Sequence, residues 1–111
     1  MSTILVGVDG SSESINAVRW AAGAAAAEGA SLKIVSAYTT TTSDYAPGLV
    51  IPQDVIDAIR GEVSKYVQSA AEVAREVDAD IEISGSIVEG DAARVMIEFG
   101  EQADMTVLGS R

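Results

Sequence analysis

Four short segments of this 111-residue chain carry residue types that could hold a ligand, and each leaves an apolar run: Gly7-Val8-Asp9-Gly10, Ala37-Tyr38, Val88-Glu89-Gly90-Asp91 and Leu108-Gly109-Ser110-Arg111. At the end of a strand, Asp9 could accept hydrogen bonds from sugar hydroxyls or from the amine of a base. It could equally bond the backbone of its own turn, as Asp commonly does. Gly109 would let the chain pass close to a ligand or turn sharply. Arg111 could pair with a phosphate or lie in solvent. Glu89 and Asp91 stand two apart and could hold Mg²⁺, directly or through water, unless Asp91 caps the helix that follows.

Other chemistries are excluded by what the chain lacks. It contains no cysteine and no histidine. Thiol chemistry, zinc sites built on Cys and His, and histidine acid–base catalysis are therefore ruled out. Without histidine the usual serine triad cannot form, and no Gly-x-Ser-x-Gly elbow occurs. There is no Gly-x-x-x-x-Gly-Lys phosphate loop. Gly7 and Gly10 are followed next by Gly23, so the first turn lacks Gly-x-Gly-x-x-Gly as well. No catalytic constellation is left, and the chain is expected not to be an enzyme.

The net charge is −10, with seven basic residues scattered from Arg19 to Arg111. Binding a nucleic-acid backbone needs a clustered basic surface, so no nucleic-acid partner is expected. A nucleotide remains possible, because glycine turns and helix starts can bind phosphate through backbone N–H groups. No basic segment precedes the first apolar run, and the apolar stretch around Trp20 to Ala27 is too short for a bilayer. With the absence of cysteine, these features set the expectation of a cytoplasmic protein that does not meet a membrane.

The segments must be positioned by regular elements. Ile4 to Val8 is a continuous apolar run, the pattern of a strand buried on both faces. From Ser12 the period becomes helical, with Ile15, Val18, Ala22, Ala25 and Ala26 on one stripe and Gly29 as the stop. Leu32 to Tyr38 reads as a second strand, and Thr39 to Leu49 as a long polar loop. That loop's hydroxyls, at Thr39 to Ser43, are either phosphorylation sites or plain loop residues. Pro52 opens a helix striped by Val55, Ile59, Val63, Tyr66, Ala70, Ala74 and Val77. Ile81 to Val88 alternates at first, as a strand near a sheet edge does. Asp91 opens a helix with Val95, Met96 and Phe99 inward, and Met105 to Leu108 is a fourth strand. The order βαβαβαβ predicts one α/β domain, 1–111, with a doubly wound open parallel sheet and helices on both faces. Ligands of such sheets collect at the carboxyl ends of the strands, where the strand order reverses.

Three segments together resemble one family. Ile4-Leu5-Val6-Gly7-Val8-Asp9-Gly10-Ser11 is similar to the opening of universal stress proteins. Val88-Glu89-Gly90-Asp91-Ala92 resembles their third-strand exit, and Ala103 to Arg111 resembles their fourth strand with the first glycine of their Gly-x-x-Gly signature. The resemblance implies a Rossmann-like sheet that binds an adenine nucleotide, ATP or AMP, with or without Mg²⁺, in a regulatory protein of the stress response. It further implies contact of Asp9 with the adenosine, of the backbone near Ala37 with the adenine edge, and of Gly109 with the ribose. Gly7, Val8 and Leu108 would help line the pocket, and Ser110 and Arg111 would lead into the phosphate loop. Family members commonly form homodimers through a fifth strand. That strand, the helix before it and the rest of the signature have no counterpart within 1–111, so the domain is expected to be incomplete at its C-terminus and β4 to present an open edge. Two other readings remain: a nucleotide-independent interaction or dimerisation module, and a flavodoxin-like redox protein. Asp9 and Glu13 would repel the phosphate of FMN in the latter.

Overall fold

The computed structural model describes residues 2–39 and 51–109. The expected loop from Thr40 to Leu49, and Ser110 and Arg111, lie outside the described residues. The elements run β1 (Thr3–Gly7), α1 (Ser12–Glu28), β2 (Ser31–Tyr38), α2 (Gln53–Val77), β3 (Ile83–Glu89), α3 (Ala92–Gly100) and β4 (Met105–Leu108).

All described strand pairs are parallel, and the sheet order is β3-β2-β1-β4. The chain steps from β1 to β2 to β3 in one direction, then crosses back over β1 to β4. With right-handed crossovers, α1 and α2 then fall on one face and α3 on the other. The buried clusters divide in the same way. Ile4, Val6, Leu32 and Ile34 meet Val18, Ala21, Ala22 and Ala25 of α1 and Ala70 and Ala74 of α2. On the opposite face, Leu5 and Val35 meet Val95, with Met96 and Phe99 packed beside it. The chain is thus an α/β domain with a doubly wound parallel sheet, β3 and β4 being the outer strands among the described residues.

Local chemistry sets the ends of the elements. Ser11 caps α1, its side chain accepting from the Ser14 N–H, and Gly29 closes the helix in the left-handed conformation at φ 67°. Asp91 caps α3 by accepting from the Arg94 N–H at 3.1 Å, the structural role that its position allowed. Pro52 is the residue before the first turn of α2 rather than a member of it, and makes no side-chain cap bond. The third strand begins at Ile83, two residues later than the alternation predicts. The Asp80 N–H bonds Asp78 Oδ1 at 2.8 Å, and the Ile81 N–H bonds the Asp78 carbonyl at 3.4 Å. That turn takes up Ile81, and pairing with β2 starts at Leu32 with Ile83.

Ile34 is fully buried in the larger cluster, so Ile34→Ala should cost about 2–5 kcal/mol, read as a fall in the urea midpoint with an unchanged slope. Ser11→Ala removes the cap of α1 and should cost roughly 1 kcal/mol. A loss near zero by the same measurement would show that the cap is replaceable.

Candidate functional site

The strand order reverses at β1, whose neighbours β2 and β4 are reached over opposite faces of the sheet. The carboxyl ends of β1 and β4 therefore frame a crevice. Backbone bonds and one buried side chain fix the exit of β1. The Val8 N–H donates to the Val35 carbonyl at 2.9 Å, and the Ser36 hydroxyl donates to the Val8 carbonyl at 2.7 Å. Ser36 is only 2% exposed. A hydroxyl in the core is tolerated because it satisfies this carbonyl, which the ladder leaves without a second partner.

After Val8 the chain turns into α1. Asp9 Oδ1 accepts from the Ser11 N–H at 2.9 Å and from the Ser11 hydroxyl at 2.5 Å. Asp9 thus bonds the backbone of its own turn, one of the two roles its position allowed. A carboxylate has two oxygens and about four acceptor sites, so this does not preclude a ligand contact. Gly10 takes φ +85°, and a Cβ there would lie 2.7 Å from the Tyr66 ring of α2. Both conformation and space restrict the position to glycine.

Gly109 follows β4 and passes against the first turn of α1. A Cβ on it would fall within 2.4 Å of the Glu13 carbonyl oxygen and 2.8 Å of the Ser14 Cα. The close approach observed at Gly109 is toward the helix backbone, a contact other than the ligand approach or sharp turn expected of it. The contact ties the fourth strand to the turn that holds Asp9.

Gly7, Val8, Asp9, Ala37, Leu108 and Gly109 all line one cavity of about 150 Å³ at this edge. Six of the eight expected residues are thereby brought together, and Ser110 and Arg111 lie outside the described residues. The cavity is also lined by Val35, Ala92 and Met96. Met96 and Ala92 come from α3, and sequence reasoning did not connect them with the site. The helical stripe marked Met96 as inward-facing, but nothing in it showed that α3 crosses back over β1. Pockets for drug-sized ligands usually measure about 300–1,000 Å³, so the described residues enclose room for part of a nucleotide.

The polar groups on the cavity's lining are backbone groups and the Asp9 carboxylate. The first turns of α1 and α3 both start at this edge, and helix starts favour anionic groups. Among the described residues, no group of three or more His, Cys, Asp or Glu is placed to hold a metal ion. No helix among them is long and apolar enough to cross a membrane.

Comparison with known proteins places this architecture. The model of the universal stress protein family matches residues 1–111. Universal stress protein Rv2624c of Mycobacterium tuberculosis is 32% identical over 113 aligned positions, which cover 99% of this chain. The chain spans only 38% of that relative's length. A crystal structure of a universal stress protein in complex with cAMP is 26% identical with a TM-score of 0.75, covering 96% of this chain and 74% of the other. The structure of the universal stress protein from Archaeoglobus fulgidus in complex with dAMP has a TM-score of 0.72 over 97% of this chain and 80% of the other. Its 18% identity speaks for the fold alone. With the parallel order β3-β2-β1-β4 and a family match along its whole length, the chain belongs to the universal stress protein family.

Proposed function

We propose that this chain is an adenine-nucleotide-binding regulatory domain that runs no reaction of its own. The observation that carries the reading is the convergence of Gly7, Val8, Asp9, Ala37, Leu108 and Gly109 on one cavity where the strand order reverses. The family relation adds support, since a related structure, 26% identical, was solved with cAMP. In this reading Asp9 accepts from the ribose hydroxyls or the adenine amine. The backbone beside Ala37 faces the base edge, and Met96 supplies an adaptable apolar wall. ATP or AMP is the expected ligand, with Mg²⁺ on the phosphates of the triphosphate. The phosphates would follow Gly109 toward Ser110 and Arg111, and the protein would act in the cytoplasm as a homodimer.

The small enclosed volume favours a second reading, a family domain that works through protein contacts without a nucleotide. Calorimetric titration of the full-length protein with ATP and Mg²⁺, AMP and cAMP separates the two. Saturable one-site binding by any of them supports the first. No heat with all three at millimolar concentration sinks it and leaves the interaction module.

Two substitutions locate the binding. Asp9→Asn keeps an oxygen for the Ser11 N–H but removes the charge. It should weaken nucleotide binding by roughly tenfold to a hundredfold, the range for a hydrogen bond to a charged group, with little change in melting temperature. Unchanged affinity would confine Asp9 to its turn. Gly109→Ala drives a methyl into the α1 backbone. It should lower both the melting temperature and the affinity, whereas a stable variant with full affinity would show that β4 can retreat from α1 at no cost.

A further inference from the structure

The sheet face under α3 changes character along its strands. Near the carboxyl ends it carries Val35, Ala37 and Val88, which pack against α3. Near the amino ends it carries Thr3, Ser31, Lys33 and Ser84, which with Leu5, Phe99 and Gln102 surround a pocket of about 440 Å³. Register puts Leu5, Lys33 and Ser84 side by side in one row, with Thr3 and Ser31 paired in the row below. Strands in the middle of a parallel sheet are normally apolar on both faces. A lysine on β2, flanked by hydroxyls, does nothing for such packing.

The charges around this pocket are unequal. Glu98 also lines it, but its carboxylate is taken by Arg94 at 2.9 Å. Lys33 takes part in neither of the two ion pairs found among the described residues. Its ammonium instead stands 5.2 Å from the centre of the Phe99 ring. That contact keeps the cation beside a residue that also lines the pocket and leaves its hydrogen-bond donors for other partners. The Thr3 hydroxyl lies 3.2 Å from that of Ser31, which donates onward to the Ser2 carbonyl at 3.4 Å, so the Ser84 hydroxyl is the donor that these bonds leave for a ligand. One cation without a carboxylate, several hydroxyls, an amide and an aromatic wall are thus gathered in a protein of charge −10. The volume falls within the usual range for a small-molecule site. None of these residues lines the cavity at the carboxyl ends.

We propose that this pocket is a second ligand site, for a small organic anion: a carboxylate or phosphate monoester whose charge meets Lys33, whose oxygens accept from the Ser84 hydroxyl and the Gln102 amide, and whose apolar body lies on Phe99 and Leu5. Lys33, Ser84 and Gln102 act there as binding groups, and no bond is made or broken.

The test is a titration of isotope-labelled full-length protein with phenyl phosphate, with benzoate and with uncharged benzyl alcohol, followed by amide chemical shifts. Saturable shifts at Ser31, Lys33, Ser84 and Phe99 are expected with either anion, and the tighter of the two identifies the head group. Benzyl alcohol should bind at least about tenfold more weakly. Lys33→Gln should lose roughly tenfold to a hundredfold in affinity, and Lys33→Arg should stay within a few-fold of the parent. Gln102→Ala, at an exposed position outside the sheet, gives an independent reading and should weaken the anion without lowering the melting temperature. The proposal falls if neither anion gives saturable shifts at millimolar concentration, if benzyl alcohol binds equally well, or if Lys33→Gln is without effect. It also falls if the shifts centre on Gly7, Ala92 and Met96. Nucleotide binding at the other end of the strands is measured separately, so either result stands without the other.

Discussion

The burial of β1 on every side is the constraint from which the rest of the structure follows. Its backbone pairs with β2 on one edge and β4 on the other, and its side chains Ile4, Leu5 and Val6 are each no more than 1% exposed. A backbone group in such a place must find its partner within the fold, because water cannot reach it. Neighbours on both edges, reached through right-handed crossovers, require helices on both faces and a reversal of strand order at β1. The crevice at its carboxyl end is a consequence of that reversal.

The two faces meet this requirement unequally. On one, α1 and α2 bring a stripe of alanines close to the sheet, and thirteen buried residues form a continuous cluster. On the other, the nine residues of α3 cover three buried side chains, Leu5, Val35 and Val95. The consequences are visible at both margins of α3. Ile97 and Leu108 are 67% and 63% exposed. On the opposite margin the sheet face turns polar around Lys33. Position along α3 and the turn after it therefore separates two chemistries: Ala92 and Met96 border the cavity at the carboxyl ends, while Phe99 and, past the helix end, Gln102 border the pocket near the amino ends.

The proposed nucleotide binding would set an acidic chain an electrostatic problem, and the turn after β1 bears on it. Asp9 is engaged by Ser11 through both a backbone and a side-chain donor. Hydrogen bonds of this kind hold the carboxylate in one orientation. Gly109 brings the backbone after β4 against the first turn of α1, where N–H groups outnumber their partners. Phosphate recognition by backbone donors needs no lysine cluster, and its strength depends on how well the backbone is held. In this chain the hold comes from two glycines, a buried serine and a tyrosine ring.

Much of this was determined by the sequence alone. The apolar run at Ile4 to Val8, the helical stripe from Ile15 to Ala25 (the expected Ala26 is exposed), the stop at Gly29 and the start at Asp91 follow from local sterics, hydrogen bonding and burial, each written within a few neighbouring residues. Alternation of strands and helices was enough for a parallel doubly wound sheet, and the strand exits were enough to nominate Gly7, Asp9, Ala37 and Gly109. Other features depend on residues far apart in the chain, and only the tertiary structure decided them. The start of β3 at Ile83 was set by a turn at Asp78 and by register with Leu32. Asp9 had two possible roles, and only folded geometry showed its bonds to Ser11. That Tyr66 covers Gly10 depends on α2 packing beside α1 on one face; that Gly109 touches Glu13, that Met96 reaches the cavity of β1, and that Lys33 stands over Phe99 depend on α3 crossing back over the sheet. Local patterns encode which face of an element is apolar. Which side chains then meet across that face is settled by the register and crossing of elements, a property of the whole chain.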